Sequence, residues 1–123
     1  MLFDTSVLIA HLRGDARATE LLLSVPMGQR LASVLARVEI EGGMRSGERA
    51  SVAGLLDGMR LVPVTDSIAR RAGEHLRRYR RSHTGIDLVD YLIAATAEAH
   101  DVPLQTLNIR HFPMFAGLRP PFG

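Results

Sequence analysis

Residues 87–107 read DLVDYLIAATAEAHDVPLQTL, and this stretch decides the fold class. From Asp90 onward the helical pattern is apolar nearly all round, with Tyr91, Leu92, Ile93, Ala94, Ala95 and Ala97 leaving no continuous polar side. A helix of that kind is buried rather than laid on a surface. The short apolar run that follows, 104–107, reads as a strand. A buried helix turning into a short strand is a piece of an α/β domain, and the rest of the chain repeats the alternation.

Working back from this segment, Thr84-Gly85 is a turn, and Thr65 or Asp66 caps a helix that runs to about Arg80. Residues 61–64 form a third strand in which Pro63 marks an edge or a strand end. A helix over 46–59 is weakened by Gly54, and one over 35–42 is stopped by Gly42-Gly43. Residues 30–34 and 1–4 are the second and first strands. Helices at 6–12 and 18–24 lie between them, the latter ending at Pro26. The tail, 112–123, is rich in Pro, Gly and aromatic residues and is expected to pack over the sheet edge. The 123 residues contain no repeat or linker, so one α/β domain over 1–123 with a mainly parallel sheet is expected.

Composition removes several chemistries. There is no cysteine, which excludes disulfides, zinc ribbons, iron–sulfur clusters and thiol nucleophiles. All 15 basic residues are arginine, and the absence of lysine excludes the P-loop and Schiff-base catalysis. The 13 acidic residues leave a net charge of only +2, which by itself points to no partner. No run approaches the ~18–20 apolar residues of a membrane span. Asp4 and the lack of a basic leader make residues 1–15 unlike a secretory signal, so a cytoplasmic location is expected.

The acids are better placed than their number suggests. In an open parallel sheet, ligands bind beyond the carboxyl ends of the strands. Asp4 ends the first strand, ahead of Thr5 and Ser6, which are the better capping residues. Glu39 lies on the helix after the second strand, nearer that strand's end than Glu41. Asp87 and Asp90 are three apart and share a side of the buried helix's first turns. Asp87 is either a cap or additional charge at the site; Asp90, a turn inside, is beyond the usual capping position and needs a partner. Asp4, Glu39 and Asp90 converging at one sheet end would repel one another and recruit a cation. Hard carboxylate oxygens without nearby His or Cys favour Mg²⁺ or Mn²⁺ over zinc. Such ions suit hydrolysis of a phosphodiester by water.

DTSVLI with Asp4, SVLARVE with Glu39 and DYLIAATA with Asp90, in that order, resemble the PIN-domain ribonucleases. The ending TLNIRHFPMF resembles the VapC-type toxins of bacterial toxin–antitoxin pairs. The resemblance spans nearly the whole chain and implies a three-layer α/β/α fold with four or five mainly parallel strands. It also implies a Mg²⁺- or Mn²⁺-dependent endoribonuclease that forms a homodimer and is inhibited by a cognate antitoxin. Asp4, Glu39 and Asp90 then become the catalytic, metal-binding carboxylates, with Asp87 either adding to them or capping. Thr5 or Ser6 matches the hydroxyl after the family's first Asp, which touches water, metal or phosphate. Many relatives carry a fourth acid near the last strand, where this chain has Asn108, so a second fully liganded metal is not expected.

RNA also needs cations for its backbone. Arg70, Arg71, Arg77, Arg78, Arg80 and Arg81 lead into the turn before Asp87, and Arg110 and His111 lie beside Asn108. His111 either joins them or packs under Phe112. An antitoxin segment carrying its own arginine would fit an acidic centre of this kind. Receiver-like phosphoacceptors resemble this layout but use a lysine, and haloacid-type phosphatases begin Asp-x-Asp, whereas here Thr5-Ser6 follows Asp4. The remaining rival is an inactive PIN-like module that only binds RNA or a partner.

Overall fold

The computed structural model describes residues 1–122; Gly123, the end of the tail segment, lies outside the described residues. Four parallel strands, β1 (Leu2–Phe3), β2 (Leu31–Ser33), β3 (Arg60–Val62) and β4 (Leu104–Gln105), lie in the order β3-β2-β1-β4. Leu2 is in register with both Leu31 and Leu104. Parallel neighbours require long crossovers, and helices supply them. These are α1 (Thr5–Leu12), α2 (Ala16–Leu23), α3 (Val34–Gly43), α4 (Arg49–Asp57), α5 (Asp66–Tyr79) and α6 (Leu88–His100).

Adjacent strand residues point to opposite faces, and two very short strands suffice to divide the core. Phe3 and Ala32 pack with Val7, Leu8, Ile40 and Leu56 from α1, α3 and α4. Their neighbours Leu2 and Leu31 pack with Ile93, Ala94 and Ala97 of α6. Helix α5 covers α6 from outside through Ile68 and Ala72 against Tyr91 and Ala95. These contacts make the expected three layers, with four strands. They also explain why α6 is apolar nearly all round: one side meets the sheet and the other meets α5. A clasp holds the outer pair, where Glu98 of α6 accepts from both Arg71 and His75 of α5. Burial pushes the Glu98 carboxyl up, but those two donors outweigh it and hold it below its usual range.

Several boundaries move. Helix α2 begins at Ala16 rather than 18, because the Asp15 side chain accepts from the Arg17 backbone N–H. The helix expected over 46–59 is a 3₁₀ turn, Ser46–Glu48, followed by α4. The third strand ends at Val62, just before Pro63, on the sheet edge as expected. The fourth stops at Gln105 rather than 107. Thr65, not Asp66, caps α5, accepting from the Ile68 N–H. Gly85 turns with φ +91°, a conformation open chiefly to glycine. The tail passes from one face to the other: Phe112 is buried among the residues packed on α6, while Phe122 joins the opposite core with the Arg17 guanidinium 4.6 Å from its ring centre. Among the described residues no helix is long and apolar enough to cross a membrane.

Candidate active site

The carboxyl ends of β1, β2 and β4 are neighbours because β1 lies between the other two. Asp4 follows β1 directly and is 4% exposed. It occupies the cap position of α1, yet its side chain caps nothing. Its Oδ2 instead accepts from Ser6 Oγ and Thr106 Oγ1, each at 2.8 Å. Both hydroxyls are fixed in turn, Ser6 Oγ by the Leu107 N–H and Thr106 Oγ1 by the Asn108 N–H, each at 3.0 Å. Thr5 and Ser6, expected to be better caps, therefore serve as carboxylate donors. Thr5 Oγ1 donates to Glu39 Oε1 at 2.7 Å, which links the second turn of α3 to the start of α1.

Asp90 enters from the other side of the sheet and is 8% exposed. It is not beyond capping distance. Asp87 Oδ1 accepts from the Asp90 N–H at 3.1 Å, and Asp90 Oδ2 accepts from the Asp87 N–H at 3.2 Å. This reciprocal capping box serves the start of α6, and it places Asp87 as a cap whose charge still reaches Asp90. Burial is the main reason the Asp90 carboxyl is pushed up to about 6; the Asp87 and Asp4 charges add to it, while the Asp87 N–H and His111 oppose it. The expectation that no His is nearby fails here. His111 Nδ1 is 3.1 Å from Asp90 Oδ2, although not aligned as a hydrogen bond, and this buried ring nitrogen has no other partner. The short 3₁₀ turn Ile109–His111 after β4 brings it there.

The three expected carboxylates share one feature. Asp4, Glu39 and Asp90 each have one oxygen held by a protein donor and one with no hydrogen bond among the described residues. The held oxygen orients the group, and the other is left for a ligand. Among the described residues no three acidic, His or Cys side chains crowd closely enough to enclose an ion by themselves. Asn108 is exposed and contributes its backbone N–H to the Thr106 hydroxyl, and Arg110 is exposed beside His111. Sequence reasoning misses Thr106 by placing it inside the strand expected over 104–107; the observed strand end at Gln105 leaves it to meet Asp4.

The arginine run divides. Arg70 pairs with Asp66 at 3.1 Å in an exposed contact, and Arg71 pairs with the half-buried Glu98 at 2.9 Å, so the charge of each is partly offset. Arg77, Arg78, Arg80, Arg81 and Arg110 make no ion pair among the described residues. Only the part of the run nearest the site keeps its charge unspent.

A buried, unpaired carboxylate should cost stability. Asp90 titrates in the folded chain at about 6, against 3.8 when unperturbed. A raised acid pKa means the folded state prefers the proton, so the penalty grows as pH rises from about 4 to 6 and is complete above that. Asp90→Asn keeps an acceptor for the Asp87 N–H and removes the charge. In EDTA at pH 7 it should stabilise the chain by ~1–2 kcal/mol after allowance for solvent screening. The gain should shrink toward pH 4. Denaturant melts at the two pH values check this, and a gain independent of pH would refute the assignment.

A parallel β3-β2-β1-β4 sheet between helical layers, with acids near the ends of its central strands, is a three-layer α/β/α architecture of the open parallel-sheet class. The PIN domain description matches residues 1–116, and the chain belongs to the PIN-domain family. It is 54% identical over 123 residues to ribonuclease VapC10 of Mycobacterium tuberculosis, covering 99% of this chain and 92% of that one. Identity to ribonuclease VapC19 of the same organism is 46%, covering 98% of each. Among solved structures, a toxin–antitoxin complex from Klebsiella pneumoniae superposes with a TM-score of 0.83 at 26% identity, covering 98% of this chain and 97% of that one.

Proposed function

We propose that this protein is a Mg²⁺- or Mn²⁺-dependent endoribonuclease, the toxin of a toxin–antitoxin pair, acting in the cytoplasm as one PIN domain over residues 1–123 and as a homodimer. The observation that carries the reading is the set of half-held carboxylates, Asp4, Glu39 and Asp90, in a chain 54% identical to a ribonuclease VapC. Three free oxygens from hard ligands suit an ion that keeps several waters, and a cation there would also offset the burial that raises Asp90. A bound divalent cation supplies charge neutralisation at the phosphate and an activated water.

The chain's own residues do the rest. Ser6 and Thr106 hold Asp4 in one orientation, and Thr5 holds Glu39. The Asp87 N–H orients Asp90, while Asp87 adds negative charge at the rim. Arg110, Asn108 and the unpaired arginines ending α5 receive the RNA backbone, through guanidinium forks that match phosphate. A cognate antitoxin presenting an arginine would meet the same carboxylates.

Controlled expression followed by mapping of cellular RNA 5′ ends tests this. New ends should appear with the intact chain and disappear with Asp90→Asn. Identical ends from both would assign the cleavage to another nuclease.

A further inference from the structure

Beside the carboxylates lies an open cleft of 650 Å³, between the α5–α6 turn (Ser82, His83, Thr84) and the segment Arg110, His111 and Pro113. That volume is within the ~300–1,000 Å³ of small-ligand sites. It opens onto the centre through His111, whose Nδ1 is 3.1 Å from Asp90. Every lining side chain except Pro113 carries a hydrogen-bond donor, and none is a carboxylate. On the opposite flank α3 exposes Glu39, which belongs to the centre itself, and Glu41, which pairs with Arg37 at 2.7 Å. The cleft therefore offers a polyanion leaving the centre a lining of donors with no carboxylate to repel it.

The cleft also holds a fixed ring. His83 is exposed, its ring Nδ1 is 2.8 Å from Ser82 Oγ, and its backbone N–H donates to the Tyr79 carbonyl at 2.8 Å. The Tyr79 ring meets it edge-on at 5.5 Å, with the Arg78 guanidinium 5.4 Å from the Tyr79 centroid. An exposed aromatic ring braced by a neighbouring ring is a surface on which an unpaired base stacks.

We propose that this cleft is the subsite for the nucleotide beside the scissile bond of single-stranded RNA. Arg110 takes its phosphate, the His83 ring its base, and the Ser82 and Thr84 hydroxyls its polar edges. The inference rests on the ribonuclease reading and adds the direction in which the strand runs. Duplex RNA keeps its bases stacked inside and gains nothing from His83.

Fluorescence anisotropy with a labelled single-stranded RNA oligonucleotide in EDTA tests it without catalysis. His83→Ala and Arg110→Ala should each weaken binding by at least about fivefold. His83→Phe should restore it, and Arg119→Ala, outside the cleft, should leave it unchanged. Arg110→Ala should also reduce the slope of log affinity against log salt by about 0.7. Unchanged affinity and slope in both cleft variants, while the intact chain still cleaves RNA with Mg²⁺, would overturn the subsite and spare the ribonuclease reading. Cleft-dependent binding without cleavage by the intact chain would support the subsite as an RNA site and overturn the ribonuclease reading.

Discussion

Asp4→Asn is expected to lower RNA cleavage by roughly 10²–10⁴-fold with the fold intact. That range follows from several kcal/mol of charge stabilisation at the reacting phosphate, at ~1.4 kcal/mol per decade. The geometry makes the substitution selective. The amide oxygen replaces Oδ2 and still accepts from Ser6 and Thr106, which now donate at 2.8 Å. The amide nitrogen replaces the free Oδ1 and offers hydrogens where a cation needs a lone pair. The network survives and the ligand does not. Thr106→Val, which removes one orienting donor, should cost less, on the order of 10–100-fold in metal affinity. Initial rates on a synthetic RNA, with circular dichroism as the folding control, check both. Full activity in Asp4→Asn would remove Asp4 from the centre.

Phe112→Ala should cost ~3–5 kcal/mol of unfolding free energy, as large-to-small changes at closed aromatic sites do. Phe112 is 1% exposed and packs with Leu2, Ile93 and Leu104, so truncation opens a void between the sheet and α6. It is also the residue after His111, and the same packing holds the 3₁₀ turn that faces Asp90. Urea titration should show a lower midpoint with an unchanged slope. A loss below about 1 kcal/mol would mean that the tail lies on the core without belonging to it.

Two acids of the candidate site were legible because they stand next to an element boundary that local chemistry defines: Asp4 ends an apolar run, and Asp90 lies in the first turn of a helix without a continuous polar side. Glu39, inside α3, was legible only as the acid of that helix nearer to the second strand. Asp87 left two roles open, and the capping box decides for the cap. The same local logic overreached at Thr5 and Ser6: a hydroxyl at a helix start usually caps, but here both donate to carboxylates.

What the sequence by itself determined is the alternation of short strands and helices, the buried character of α6 and the positions of three carboxylates. Periodicity and boundary residues are properties of neighbours in the chain, so a single reading along it suffices. The tertiary structure alone decided how those groups are held and which charges remain available. Thr106 reaches Asp4 across 102 positions, and Glu98 neutralises Arg71 across 27. His111 comes to Asp90 only because β4 pairs with β1. Six arginines before the turn look alike as a string; two have carboxylate partners and four do not, because pairing depends on distance in space. The net charge of +2 therefore conceals an uneven distribution, with carboxylates near the strand ends beside a carboxylate-free, donor-rich cleft at His83 and Arg110.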